Sequence, residues 1–278
     1  MSGSHNPTTL SDAGPVLLFG AGNMGGAMLR GWLALGLPPK RVAIVDPAPR
    51  ENIAALADRG VIFNPAPEGF GPSVLLLAVK PQMFAEVAES IGAYLPGDAV
   101  LISVLAGTTM AQIEAVCPSG QPVLRVMPNT PAAIGQGMSV LYANAHVSAE
   151  QKSEAESLMA AIGDTAWIED EALMDAVTAV SGSGPAYVFY LAEALAQAGA
   201  KAGLPADLAD QLARQTVSGA GALIAATGTD PAELRRNVTS PNGTTAAALA
   251  VLMAENGLGP LLVDAVGAAK RRSEELAG

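Results

Sequence analysis

The sequence predicts an α/β fold, in which a mostly parallel sheet is followed by an all-helical C-terminal domain. From about residue 16 to 168, short apolar runs alternate with helical or turn segments, and after residue 170 only Ala/Leu-rich helical stretches remain. A glycine-rich turn directly follows the first apolar run. Alternating strand and helix patterns are typical of βαβ units on a parallel sheet. We therefore expect a disordered polar tail over 1–15, a sheet domain over 16–168 and a helical domain over 169–278.

The predicted strands are short runs rich in β-branched or other apolar residues. They cover Val16–Phe19, Arg41–Val45, Val74–Val79, Val100–Val104 and Pro122–Met127, with edge strands at Met138–Tyr142 and Thr165–Ile168 and a helix over 149–161 between them. The C-terminal half predicts helices at about 184–202, 206–227, 244–255 and 258–276. Residues 215–229 carry no charge, which is unusual for a solvent-exposed helix. This segment predicts either a helix buried between subunits or one buried within its own domain.

Composition excludes several classes of function. A net charge of −11 disfavours a nucleic-acid or anionic-membrane partner, because either needs a basic surface. The longest uncharged stretches are broken by proline and glycine, whereas a membrane-spanning helix needs about 20 apolar residues. Cys117 is the only cysteine, and His5 and His146 are the only histidines. We therefore expect a cytoplasmic protein with no metal and no catalytic histidine.

The first glycine turn predicts a dinucleotide site. Gly20-Ala21-Gly22-Asn23-Met24-Gly25 follows an apolar strand and opens a helix, and the next strand ends at Asp46. In this fingerprint the first glycine permits the turn, the second admits the pyrophosphate and the third allows close packing of helix on strand. The free N–H groups and the helix dipole then face the phosphates. This context predicts a Rossmann domain that binds NADH or NADPH.

Asp46 bears on which dinucleotide is used. A carboxylate at the end of the second strand accepts hydrogen bonds from the adenosine ribose and repels a 2′-phosphate. Arg50, four residues on, is placed to offset that repulsion. Our hypothesis is that NADH is used at least as well as NADPH. The alternative for Asp46 is a turn or helix cap beside Pro47.

A second candidate site lies in the stretch from Ser240 to Thr245. Ser240 is a good N-cap and Pro241 suits the first helical position, so a helix is predicted to begin here. The backbone N–H groups near Asn242, Gly243 and Thr244, with the hydroxyls of Ser240, Thr244 and Thr245, would then form an anion site for a small carboxylate. The alternative is an ordinary capped helix.

Four segments stand out for turn chemistry in apolar surroundings: 78–82, 125–131, 181–187 and 238–245. In this order, together with the N-terminal glycine turn, they resemble the pyrroline-5-carboxylate reductase family over nearly the whole chain, from about Val16 to Leu276. One departure is Asn242, where many members have glycine. Asparagine tolerates unusual backbone angles, so we expect the loop to keep its shape.

The resemblance implies hydride transfer from NADH or NADPH to a cyclic imino acid, (S)-1-pyrroline-5-carboxylate, which gives L-proline and completes proline biosynthesis. It assigns 16–168 to the dinucleotide and 169–278 to substrate binding and dimerisation, with a dimer built from C-terminal helices and often assembled into a decamer. Ser240, Gly243 and Thr244 would hold the substrate carboxylate, and Thr245 would hydrogen-bond the ring nitrogen. The nicotinamide and its ribose would contact Ala78, Val79, Lys80, Pro81, Val104, Leu105 and Ala106.

Two other functions are compatible with this layout, and broader imine reduction by the same site stays open. The β-hydroxyacid dehydrogenases share the layout but resemble one another in a catalytic lysine followed four residues later by asparagine. In this chain no lysine is followed four residues later by asparagine, which counts against this class. The residues at those positions are Ile44, Phe84, Glu156, Pro205 and Glu274. A dinucleotide-sensing protein without activity is the rival from another class. It would not need the hydroxyl-rich segment at 240–245.

Overall fold

The computed structural model describes residues 9–277. Contacts group them into a sheet unit, 9–182 with 270–277, and a helical unit, 183–269. The domain limits at 16–168 and 169–278 stay a prediction. Residues 1–8 of the predicted tail lie outside the described residues. Just before the sheet, Leu10 is 1% exposed and Arg41 donates to the Gly14 carbonyl, although both Leu10 and Gly14 fall in the predicted disordered tail.

One eight-stranded sheet forms the centre of the sheet unit. Its strands are β1 (Val16–Phe19), β2 (Val42–Val45), β3 (Ile62–Phe63), β4 (Val74–Leu77), β5 (Val100–Ser103), β6 (Val123–Met127), β7 (Gly137–Ala143) and β8 (Gly163–Trp167). They lie in the order β3-β2-β1-β4-β5-β6-β7-β8, and every pair is parallel except β6 with β7. The predicted mostly parallel α/β fold is therefore confirmed. The two-residue β3 was missed, because two residues show no periodicity.

The helices of the sheet unit pack on both faces of the sheet. They are α1 (Asn23–Ala34), α2 (Glu51–Ala54), α3 (Phe84–Tyr94), α4 (Met110–Glu114), α5 (Ala149–Ala160) and α6 (Met174–Val177), which continues into a π-helical turn at Thr178–Gly182. On one face Trp32 of α1 is fully buried and its indole N–H donates to the carbonyl of Leu158 in α5. On the other face Ile91 of α3 and Ile113 of α4 are fully buried. Because both faces are covered, the central strands are continuous apolar runs.

The helical unit contains α7 (Gly184–Lys201), α8 (Ala206–Thr227), α9 (Pro231–Asn237), α10 (Thr244–Leu252) and the first part of α11 (Leu258–Ala277). Helix α9 was missed although Asp230 caps it and Pro231 opens it. Only Ala209 and Ala213 are buried on α8. Its apolar side chains Leu212 and Leu223 are exposed in the single chain. Among the described residues, α8 is therefore not buried within its own domain, which was one of the two predicted alternatives.

A largely buried ion pair joins β6 to the segment before α6 in the sheet unit. Arg125 of β6, with a side chain 7% exposed, pairs with Glu171, which also accepts the N–H of Met110 at the start of α4. Breaking a buried pair leaves an uncompensated charge, which costs about 3 kcal/mol. We therefore expect Glu171→Ala to lower the free energy of unfolding by about 3 kcal/mol in a urea titration. Glu274→Ala, which removes an exposed helical pair with Lys270, should change it little; equal effects would contradict the assignment.

Candidate active site

The carboxyl ends of β1, β2, β4 and β5 bring four predicted cofactor segments together. The amide of Ala78, after β4, donates to the carbonyl of Phe19 in β1 at 2.8 Å. The amide of Val104, after β5, donates to the carbonyl of Leu77 in β4 at 3.0 Å. The chain order reverses between β1 and β4, and open α/β sheets bind ligands in the crevice at such a switch point.

The physical reason for glycine differs among the three glycines of the turn. Gly20 has φ +84°, and a Cβ there would lie 2.9 Å from the carbonyl oxygen of Ala78. A Cβ on Gly25 would overlap the carbonyl oxygen of Gly20. Gly22, at the start of α1, has nothing within 4 Å of its Cβ position and an ordinary φ of −67°. Internal packing explains Gly20 and Gly25, whereas Gly22 leaves open space outside the protein. The turn therefore fits a dinucleotide pyrophosphate, which needs close approach to this backbone.

Asp46 is held by the backbone on two sides. Its Oδ2 accepts the N–H of Ala21 in the glycine turn at 2.9 Å, and its Oδ1 accepts the N–H of Ala48 at 2.9 Å. The second contact is the turn cap considered as the alternative. The first fixes the carboxylate against the cofactor turn, so the two roles are compatible. Ribose binding by Asp46 stays a prediction.

Sequence reasoning missed Asn64. Its side chain accepts the N–H of Asp46 through Oδ1 and donates to the Asp46 carbonyl through Nδ2. Asn64 has φ +45°, a left-handed conformation that asparagine adopts more readily than most residues. The signal was the Asn64-Pro65 turn after an apolar pair. Asn64 thus fixes the backbone at the end of β2.

The segments after β4 and β5 present different groups to the edge of the sheet. Lys80 and Pro81 are exposed, and Lys80 immediately precedes a 3-10 turn over Pro81–Met83. Val79 is half-buried, and Ala106 is exposed. Leu105 is 3% exposed and packs into the core, so its side chain is not available to a ligand.

The stretch from Ser240 to Thr245 folds differently from its prediction. Helix α10 begins at Thr244 with Gly243 as the N-cap, so the prediction that Ser240 caps the helix and Pro241 opens it is wrong. The amide of Gly243 donates to the Ser240 carbonyl at 3.1 Å in a turn. Asn242 has φ +58°, which confirms that asparagine supports the loop. The first intrahelical bond runs from Ala247 to Gly243, which leaves the amides of Thr244, Thr245 and Ala246 without helical acceptors.

Two other segments singled out in the sequence meet within the sheet unit. Asn129 accepts the N–H of Met138 and donates from Nδ2 to the hydroxyl of Ser181 at 3.3 Å. Asn129 follows β6, and Ser181 lies in the π-helical turn. This side chain therefore joins the 125–131 and 181–187 segments.

Neither a metal-binding cluster nor an activated cysteine occurs among residues 9–277. No cluster of three or more His, Cys, Asp or Glu side chains suited to a metal occurs there. Burial, followed by the nearby Glu114 carboxylate, raises the pKa of Cys117 to about 11. Its thiol is therefore protonated at neutral pH and a poor nucleophile.

No helix in the described part of the chain is long and apolar enough to cross a membrane.

The fold and the glycine turn define the chain as a Rossmann-type oxidoreductase, and comparisons with known proteins narrow the class. A family model described as NADP oxidoreductase coenzyme F420-dependent matches residues 15–107, and one described as pyrroline-5-carboxylate reductase dimerisation matches 171–276. A pyrroline-5-carboxylate reductase of Pseudomonas aeruginosa is 43% identical over 94% of this chain and 96% of that protein. One from Glycine max is 38% identical over 92% and 94%. The chain belongs to the pyrroline-5-carboxylate reductase family.

Solved structures agree with this membership. The Coxiella burnetii pyrroline-5-carboxylate reductase superposes with a TM-score of 0.89 at 34% identity, covering 96% of this chain and all of that one. The Plasmodium falciparum enzyme, solved with NADP bound, gives 0.79 at 28% identity over 95% and 98%. The resemblance inferred from the motifs is confirmed.

Proposed function

We propose that this protein reduces (S)-1-pyrroline-5-carboxylate to L-proline with hydride from NADH or NADPH. The single observation that carries the proposal is Gly22, whose Cβ position faces open space at the switch point of a sheet in a member of this family. The hydride goes to C5 of the imine. The pyrrolinium nitrogen is already protonated over part of the neutral range, so positioning of the two rings supplies most of the acceleration.

The substrate carboxylate is assigned to the start of α10. The amides of Thr244, Thr245 and Ala246 precede the first intrahelical bond, and anions are stabilised at such an end. In this proposal Ser240, Asn242 and Gly243 shape the turn around the carboxylate. The Thr245 hydroxyl accepts from the iminium N–H and then hydrogen-bonds the amine nitrogen after hydride transfer. The substrate role of all five residues rests on the family resemblance together with this helix start.

The reverse reaction provides a direct test. Purified protein is given L-proline at high pH with NAD+ or NADP+, and the reduced cofactor is followed by its absorbance. We expect a proline-dependent signal with at least one cofactor. Dinucleotide binding without any signal, in this direction or with the imine, would favour the dinucleotide sensor instead.

Cofactor preference is tested separately. We expect kcat/KM with NADH to equal or exceed that with NADPH, because the proposed role of Asp46 is to bind the adenosine ribose, where its carboxylate would repel a 2′-phosphate. A hundredfold preference for NADPH would contradict that assignment.

Self-association follows from the dimerisation family and the exposed apolar side chains of the helical unit. Val263 is 72% exposed and Phe189 66% exposed in the single chain. We expect Val263→Glu to shift the mass measured by light scattering from dimer or larger toward monomer, because burying a charge at an apolar interface is costly. Ala57→Glu, on an exposed turn of the sheet unit, is the matched control. A wild-type chain that is monomeric at micromolar concentration would contradict the proposal.

Assembly of the dimer into a decamer stays a prediction. The cytoplasmic location of the protein also stays a prediction.

A further inference from the structure

The loop between β5 and α4, residues 104–109, includes part of the proposed nicotinamide contact. Residues 106–108 of this β5–α4 loop line a cavity of about 970 Å³, whose other walls come mainly from α3 and α4. The loop therefore faces open space on this side, where its atoms have no partners to attract them. Its position depends instead on the contacts that it makes on its other sides.

The last turn of α11 lies against the tip of the β5–α4 loop. Gly107 has φ +73°, and a Cβ there would lie 3.3 Å from the Cβ of Leu276 and 3.6 Å from the Leu276 carbonyl oxygen. Both residues belong to the sheet unit, which includes residues 270–277. Glycine is therefore favoured at this position both by its left-handed backbone and by the close approach of α11. This approach makes α11 a support for the loop.

The side chain of Gln112 connects the same turn of α11 to the end of the loop. Its Nε2 donates to the carbonyl of Ala277 at 3.0 Å. Its Oε1 accepts the N–H of Thr109 at 2.8 Å, and the Thr109 hydroxyl accepts the N–H of Gln112, which together form a capping box at the start of α4. A capping box uses only the oxygen of this amide. The Nε2 bond to Ala277 is therefore additional to the cap and ties α11 to the loop.

The end of α11 is also fixed to α6. Ser273 is 6% exposed, and its hydroxyl donates to Oδ1 of Asp175 in α6 at 2.6 Å. Asp175 lies four residues after Glu171, whose carboxylate accepts the N–H of Met110 at the start of α4. The last turns of α11 are thus held in the sheet unit independently of Gln112, so they provide a fixed point for the loop.

We propose that Gln112 and the last turn of α11 are positioning elements for hydride transfer, because they hold the β5–α4 loop in place beside the nicotinamide. This inference rests on the proposed function, to which the nicotinamide contact of residues 104–106 belongs. Gln112 acts through the loop and does not itself need to touch the cofactor. Hydride transfer is sensitive to such support, since a misplacement of about 1 Å can slow a reaction about a hundredfold. Sequence reasoning missed Gln112, because its partner Ala277 lies 165 residues away.

Gln112→Glu separates the two roles of this side chain. Glutamate keeps an oxygen for the N–H of Thr109 and is itself favoured in a capping box, but it cannot donate to the Ala277 carbonyl. The first readout is hydrogen–deuterium exchange of the full chain without cofactor, measured by mass spectrometry. We expect peptides that cover residues 104–109 to exchange about threefold faster than in the wild type. Glu275→Ala, which removes an exposed pair with Arg272 on α11, is the control and should exchange like the wild type.

The second readout is the single-turnover rate of hydride transfer at saturating NADH, followed by stopped-flow absorbance. We expect Gln112→Glu to lower this rate about threefold and to leave NAD+ affinity, measured by calorimetry, within about twofold of the wild type. Ser273→Ala should shift exchange and rate in the same direction through the other anchor. A merely structural contact would lower the unfolding temperature without changing the rate in the folded enzyme.

The outcomes separate this inference from the proposed function. Unchanged exchange in both Gln112→Glu and Ser273→Ala would overturn it, whatever the activity. Faster exchange with a wild-type rate of hydride transfer would overturn it as well, because the position of the loop would then not matter. If Gln112→Ala slows the transfer and Gln112→Glu does not, only the cap matters and the inference is wrong. A wild-type protein that binds dinucleotide but reduces no imine would contradict the proposed function, and exchange would still decide whether α11 holds the loop.

Discussion

Replacing Gly22 by valine is expected to abolish dinucleotide binding while leaving the sheet unit folded. Gly22 has φ −67° and ψ −147°, and no atom lies within 4 Å of its Cβ position, so an added side chain meets no neighbouring residue. The new side chain would occupy the space over the start of α1 that the pyrophosphate requires. We expect affinity for NAD+ and NADP+ to fall at least about a hundredfold, about 3 kcal/mol, by calorimetry.

The control for this substitution is another glycine in open space. Gly92 lies in α3 with nothing within 4 Å of its Cβ position. Gly92→Ala should leave affinity unchanged and stabilise the helix slightly. Thermal unfolding of both variants separates loss of binding from loss of fold. If Gly22→Val unfolds near the wild-type temperature and still binds NAD+ with wild-type affinity, the pyrophosphate does not lie at this turn.

Much of the fold could be predicted because parallel strands covered on both faces are continuous apolar runs. Val74–Leu77 and Val100–Ser103 stand out for this reason, and each strand leads into a turn of the proposed cofactor site. The ends of β4, β5 and β8 were placed one or two residues too far, at Val79, Val104 and Ile168, because the apolar run continues into the loop. The order of strands, which brings Ala78 against Gly20, follows from chain connectivity rather than from any local pattern.

The start of α10 shows where local rules are insufficient. Ser240-Pro241 and Gly243-Thr244 both satisfy the preferences for a helix N-terminus. The turn from Ser240 to Gly243, with Asn242 in a left-handed conformation, selects the second. Asn64 was missed for a related reason, since its role depends on Asp46, eighteen residues earlier in the chain.

Replacing Thr245 by valine is expected to lower kcat/KM for imine reduction by about 10- to 100-fold, which corresponds to about 1.5–3 kcal/mol for one hydrogen bond to a charged group. Thr245 is the second residue of α10, and its side chain is partly exposed. Valine has nearly the same shape but cannot hydrogen-bond the ring nitrogen. Thr245→Ser keeps the hydroxyl and should recover most of the activity.

The division between kcat and KM distinguishes catalysis from binding at Thr245. A hydrogen bond that strengthens as the iminium becomes an amine lowers kcat and kcat/KM together when it is lost. A bond made equally to substrate and transition state raises only KM. We expect the first pattern with saturating NADH, because the charge on the nitrogen changes during hydride transfer. If Thr245→Val kept the wild-type kcat/KM, this hydroxyl would take no part in the reaction. The start of α10 would then bind only the substrate carboxylate, through its amides.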